Sequence, residues 1–167
     1  KQTKMTNATL EILSGDDLFA DPIISRSVKR CLEPLKEKIT AYQTTLTYAS
    51  TPREVTREAQ KGTYDIIVTD LDYGTTGRVG TEGFDILESI AQMQLPKKPF
   101  IILCTSQDHQ QEAIQKRLDE KKVHALVGPG SSNKFQALST YLINKYSPQR
   151  APEEGDTPLQ SEGGEEE

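Results

Sequence analysis

The stretch YDIIVTDLDY, residues 64–73, decides how this chain is read. An uninterrupted apolar run closed by Asp70 and Asp72 has the form of a buried parallel strand. Its C-terminal end delivers carboxylates into a crevice, where open α/β sheets hold their ligands. Two aspartates after a strand also suit a plain solvated turn, so the reading depends on what accompanies them elsewhere.

Upstream, TLEILS (residues 9–14) reads as a short strand that runs into Gly15, Asp16 and Asp17. Asp21 before Pro22 combines an N-cap with proline at the first helical position. Ile23, Ile24, Val28, Cys31 and Leu32 then recur at helical spacing up to a stop or bend at Pro34. Residues 44–48 form a weak second strand, and Thr51-Pro52-Arg53-Glu54 is a capping box that opens a helix ended by Gly62. Downstream of the central stretch lie a glycine-rich loop at 74–83, an amphipathic helix at 84–93 and the buried strand FIILC at 100–104. After Thr105 and Ser106, with Ser106 as its expected cap, comes a polar, exposed helix carrying Ala113, Ile114 and Leu118. A last strand at 123–127 and a helix with Phe135, Leu138, Leu142 and Tyr146 along one face complete the domain.

Strands alternating with helices over short connections predict a doubly wound, five-stranded parallel sheet with helices on both faces, flavodoxin-like in class. The right-handed crossover rule gathers the strands' C-terminal ends on one edge. Asp16-Asp17, Asp70-Asp72 and Thr105-Ser106 are therefore expected together there. Carboxylates sharing a crevice repel one another unless a cation sits among them. Mg²⁺ is the physical expectation, because it takes hard oxygen ligands together with waters and a phosphate oxygen.

Composition bounds the rest. Hydrophobic residues are 34% of the 167, low for a globular chain, and the charge distribution shows where the excess polarity lies. Residues 148–167 hold seven acidic residues and one basic one, a net of −6, so 1–147 carry +1 of the whole-chain −5. We expect a leader at 1–8, one domain at 9–147 and a disordered acidic tail at 148–167. A near-neutral domain with scattered Lys97-Lys98 and Lys121-Lys122 doublets argues against a nucleic-acid surface. There is no apolar run of membrane-spanning length and no secretory segment, so a cytoplasmic protein is expected. Cys31 and Cys104 read as reduced core thiols, with no CxxC or paired-His spacing for zinc. A chain beginning at Lys1 suits a piece of a longer protein.

Taken in order, ILSGDD, IIVTDLD, EGFDILESI, IILCTS and Pro129 resemble the receiver domain of two-component response regulators over residues 9–146. The resemblance implies that Asp70 is the phosphoacceptor, attacking a phosphohistidine in a histidine kinase or phosphotransfer domain. It implies that Asp17 and Asp70 ligate Mg²⁺ directly, with the backbone carbonyl of Asp72, while Asp16 acts through water. Thr105 would bond the phosphoryl group and act as the switch. An output protein or domain outside this chain would read the change. The family's fourth-helix, fifth-strand and fifth-helix face, polar here, suits a transient partner or a weak homodimer.

Three departures from the family pattern stand out. Gly128 replaces the usual lysine before the proline; Lys134 or Arg78 could reach in as a substitute, with ordinary surface charges as the favoured reading of both. Ala125 replaces the switch aromatic, with His124 beside it as a structural histidine. Tyr73 and Gly74 stand where Met and Pro are usual, and TTGRVG is inserted before a Glu82-Gly83 turn, an expected lid or partner contact. These departures keep open a pseudo-receiver, a phosphorylation-independent interaction module. TDLDYG with IILCTS also faintly resembles haloacid-dehalogenase-type phosphatases, which would make the chain a phosphohydrolase.

Overall fold

Ile66, Ile67, Val68 and Thr69 are buried on both sides, because the strand they form, β3 (Ile66–Thr69), lies at the centre of a five-stranded sheet. The other strands are β1 (Ala8–Gly15), β2 (Tyr42–Ala49), β4 (Phe100–Cys104) and β5 (Ala125–Val127). Every pairing is parallel and the order is β2-β1-β3-β4-β5. This computed structural model describes residues 8–74, 82–108 and 110–147. Residues 1–7 of the expected leader, the TTGRVG insertion with Arg78, and the tail at 148–167 lie outside the described residues, while Ala8 already belongs to β1.

Successive strand residues point to opposite faces, and the core divides accordingly. Leu13, Ile67, Ile101 and Leu103 pack with Val55 and Ala59 of α3 (Pro52–Ala59), Leu87 and Ile90 of α4 (Glu82–Ala91) and Ile114 of α5 (Gln111–Asp119). Ile12, Ile66, Val68, Ile102 and Cys104 pack with Val28 and Leu32 of α1 (Pro22–Leu32), Leu35 of α2 (Leu35–Lys38), and Leu138 and Leu142 of α6 (Lys134–Tyr146). The sheet is thus covered on both faces, as the buried apolar strands require.

Local chemistry sets the helix starts. The Asp21 carboxylate accepts from the Ile23 and Ile24 N–H groups at 2.9 and 3.0 Å, with Pro22 in the first turn. Thr51 Oγ1 accepts from Glu54 N, but the Glu54 carboxylate reaches back to Ser50 N at 2.8 Å, so the box closes one residue earlier than expected. The expected bend at Pro34 separates α1 from the short α2.

Three local expectations need correction. Ser106 does not cap α5; the cap position is Gln110, in the left-handed region at φ 66° with no side-chain bond. Glu82 and Gly83 are the first turn of α4 rather than a turn before it. The α5 helix buries Ile114, half-buries Ala113, Arg117 and Leu118, and is tied to α4, since Glu88 is gripped by Arg117 Nε at 3.2 Å and by Lys122 Nζ, just past the helix, at 2.8 Å. Both cysteines are free, Cys104 buried and Cys31 partly so.

Strand register positions the site. Gly15 pairs with Thr69 and Thr69 with Leu103, so β1, β3 and β4 end within a residue of each other. The order reverses between β1 and β3, and the crevice at such a switch point is where α/β sheets place ligands. Asp16 and Asp70 are the first residues beyond the two strands.

Candidate phosphoacceptor site

Carboxylate oxygens of Asp16, Asp17 and Asp70 lie within 4.8 Å of one another. Asp16 sits at the cap of a single 3-10 turn (Asp17–Ala20), its backbone N–H donating to Ala49 O and its Oδ1 accepting from Leu18 N at 3.0 Å. Those bonds turn its carboxylate inward, and only 2% of its surface is exposed. Asp17 is partly exposed beside it. Asp70 is buried, with Oδ1 accepting from Leu71 N at 2.7 Å. The Asp72 carboxylate instead accepts from Gly74 N at 3.0 Å, shaping its own loop.

Of the two readings of Lys134, surface charge and substitute cation, the sequence favours the first, and the structure instead brings it into the site. Lys134 Nζ lies 2.6 Å from Asp16 Oδ2 and 3.1 Å from Asp70 Oδ1, with 12% of its side chain exposed. Its delivery follows from a cap: Asn133 Oδ1 accepts from the Phe135 and Gln136 N–H groups, each at 3.1 Å, which fixes Lys134 as the first residue of α6. Side chains on a helix lean toward its N-terminus, so a lysine in that position reaches back over the sheet's rim.

Gly128 makes the approach possible. Its φ is +108°, and a Cβ there would fall 2.4 Å from the Thr105 carbonyl oxygen and 3.0 Å from Lys134 Cβ. Glycine at this point leaves the space through which Lys134 packs.

Charges in the crevice perturb one another. Burial, then the neighbouring Asp16 charge, pushes Asp70 up from 3.8 to about 7, outweighing Lys134 and the Leu71 N–H. Burial and the adjacent Asp16 carboxyl likewise raise Asp17 to about 6. For Lys134, burial opposes the charged form, but the Asp16 and Asp70 carboxylates outweigh it and hold the ammonium above its ordinary range. Asp17 and Asp70 bind more protons in the fold than in the unfolded chain between about pH 4 and 7, so their contribution to metal-free stability falls as pH rises through that window. The lowered glutamates act the other way at about pH 4 to 5, and the lowered His124 nearer 6.5, and the two raised aspartates are expected to outweigh them above about pH 5. Urea midpoints without metal at about pH 5 and about pH 7.5 check this; a higher midpoint at the more alkaline pH would contradict it.

Thr105 is buried at the same rim, its N–H donating to Val127 O and its hydroxyl accepting from Gln107 N at 3.1 Å. Its hydroxyl thus closes its own turn, and among the described residues it makes no hydrogen bond to Asp70. His124 has the structural role expected: Nδ1 accepts from Ile101 N at 2.9 Å and the ring stacks on Phe100.

Three comparisons bear on this arrangement. No protein-family model matches the sequence, and neither does any curated protein. Solved structures do match. The signal receiver domain of an HD-domain protein from Pseudomonas fluorescens is 17% identical, with 87% of this chain and 93% of that one covered at a TM-score of 0.57. The chain has the receiver fold. Similar too are the receiver domain of a sensor histidine kinase from Pseudomonas aeruginosa, described with magnesium in its active-site cleft (16% identity, 83% and 98% covered, TM-score 0.57), and the chemotaxis protein CheY4 of Vibrio cholerae (16%, 81% and 99%, 0.54).

Within this receiver fold, sequence reasoning missed a second support under Asp70. Tyr73 is buried, its hydroxyl 2.8 Å from Thr69 Oγ1, and a Cβ on Gly15 would sit 2.6 Å from that hydroxyl. Its backbone N–H donates to the buried Glu82 carboxylate at 3.0 Å. A tyrosine directly after an acidic strand end was the available signal, but nothing local says that its ring turns inward.

The residues present suit a hard divalent cation. Three converging carboxylates, two of them raised by burial and by the neighbouring Asp16, form an oxygen donor set with unbalanced negative charge when ionised. Among the described residues no helix is long and apolar enough to cross a membrane.

Proposed function

We propose that this chain is a phosphoacceptor module of two-component signalling, in which Asp70 accepts a phosphoryl group from a phosphohistidine of a histidine kinase or phosphotransfer domain. The observation that supports it is the meeting of Asp16, Asp17 and Asp70 with Lys134 at the switch point of a receiver fold. Any one acidic pair is commonplace; the convergence of groups from three separate segments of chain is not.

Asp17 and Asp70, with the backbone carbonyl of Asp72, would hold Mg²⁺ directly, and Asp16 through water. When bound, the ion supplies positive charge against the carboxylates and the phosphoryl oxygens. Asp70 Oδ1 is engaged by Leu71 N–H and Lys134, which leaves Oδ2 as the oxygen that attacks phosphorus. A new O–P bond forms in line as the N–P bond of phosphohistidine breaks, and the imidazole nitrogen keeps that electron pair. Lys134, already beside Asp70, meets charge developing on the equatorial oxygens. Thr105 donates its hydroxyl hydrogen to the phosphoryl group after leaving Gln107. That change at the β4 end is what an output protein or domain would read, in a cytoplasmic setting.

Incubation with Mg²⁺ and acetyl phosphate, followed by intact-mass measurement, tests the reading. One phosphoryl adduct is expected in the parent protein and none in Asp70→Asn. The pseudo-receiver reading draws on one observation, that Ala125 stands half-buried where the switch ring belongs. An absent adduct, with no Mg²⁺-dependent change, would favour it. The phosphohydrolase reading finds no support, because it leaves Asp16 and Asp17 of the cluster without a role.

A further inference from the structure

Lys134 raises a question that the phosphoacceptor reading leaves open, since it touches Asp16 as closely as the acceptor itself. Both Asp16 oxygens are engaged: Oδ1 by Leu18 N–H and Oδ2 by the lysine ammonium at 2.6 Å. An ion approaching Asp16, or a water on that ion, meets a positive charge already in place. Yet the three carboxylates exceed the lysine by two negative charges, which one divalent cation balances.

The lysine's origin is equally informative. Gly128 occupies the position where the resembling family carries its lysine, and its would-be Cβ lies 3.0 Å from Lys134 Cβ and 2.4 Å from the Thr105 carbonyl. A side chain at 128 would clash with the Thr105 carbonyl and press on Lys134 in its present place. The cation at this site comes from the start of α6 and not from the end of β5, and Asn133 fixes its approach. From there it spans Asp16 and Asp70 together.

We propose that Lys134 is a tethered cation of this site: it bridges Asp16 and Asp70 in the metal-free protein, gives up Asp16 when a divalent ion binds, and stays on the Asp70 side to meet the phosphoryl group. Gly128 is the notch that admits it. The inference rests on the metal site of the function proposed above, but its test reads metal binding apart from phosphorylation.

Mg²⁺ titrations of the full chain, followed by amide NMR shifts, compare the parent with Lys134→Met and Lys134→Arg. Removing the competing charge is expected to tighten Mg²⁺ binding by about tenfold, and to slow adduct formation from acetyl phosphate by about a hundredfold. Lys134→Arg keeps the charge and is expected to restore the parent affinity to within about threefold. Lys134→Met leaves buried carboxylates uncompensated, so it is also melted with and without Mg²⁺, and the metal-induced rise in Tm is expected to exceed the parent's. Lys134→Gln serves if Lys134→Met does not fold. Unchanged or weaker Mg²⁺ affinity, failure of both variants to recover on adding Mg²⁺, or no Mg²⁺ binding by any of the proteins overturns the proposal. Tighter Mg²⁺ binding with no adduct in any protein would uphold the exchange of Lys134 for the metal at Asp16 and overturn its phosphoryl role together with the phosphoacceptor reading; an adduct without tighter binding would overturn the exchange and leave the phosphoacceptor reading standing.

Discussion

Gly128→Lys, which puts a lysine where receiver domains usually carry one, is expected to destabilise this protein by about 3 kcal/mol or more. Two separate costs act there. A φ of +108° is a conformation that side-chain-bearing residues rarely adopt, and the new Cβ meets the Thr105 backbone oxygen at 2.4 Å, which no rotamer change relieves. It also presses on Lys134 Cβ, so the new ammonium arrives as the old one is displaced. The expected result is a large fall in urea midpoint together with slower phosphorylation of Asp70. Adding Lys134→Ala removes the second ammonium but leaves the Cβ contact, the backbone clash and the strained φ, so the double variant should remain unstable. A midpoint equal to the parent's in Gly128→Lys would show that this loop yields easily and that Gly128 is not a steric requirement.

Gly83→Ala should cost about 2 kcal/mol and weaken phosphorylation, although alanine is the better helix former by about 1 kcal/mol. A Cβ at this position falls 2.4 Å from Asp70 O and 2.7 Å from Leu71 Cα, both backbone atoms. Relief requires the start of α4 to move off β3. That movement stretches the Gly83 N–H bond to Leu71 O, now 2.8 Å, and the Glu82 hold on Tyr73 N. Gly130→Ala is the informative control, since φ there is +80° but nothing lies within 4 Å of the added carbon. Its cost should be of order 1 kcal/mol, with phosphorylation unchanged. A Gly83→Ala cost no larger than that of Gly130→Ala, with phosphorylation unchanged, would mean that the start of α4 yields easily and that its close approach to Asp70 is not a steric requirement.

Why some features were legible and others were not follows from the range of the forces involved. The apolar run at 64–69 with its acidic end, the Asp21-Pro22 start and the alternation of strand and helix signals are consequences of neighbours along the chain. Burial of a β3 residue on either face is written in its own identity, and Gly15, Thr69 and Leu103 fall into register because strands of similar length, joined by short crossovers, have few other ways to pair. The convergence of Asp16, Asp17 and Asp70 was therefore foreseeable from topology.

Lys134 was not foreseeable in the same way, although a trace of it existed. Continuing the strand alternation past Thr69 puts Asp70 on the α1 and α6 side with Ile66 and Val68, and Lys134 opens α6. What sequence does not carry is the last few ångströms: whether a flexible side chain folds back into the crevice or stays in water. Tyr73, turned beneath Gly15 instead of outward, is the same kind of case.

The sequence alone determined a parallel α/β sandwich, its acidic rim and Asp70 at the centre of it, because apolar periodicity and crossover handedness are properties of the chain. The tertiary structure alone decided which cation faces those carboxylates, since that depends on a gap left by the missing side chain at Gly128 and on a charge from a segment distant in sequence.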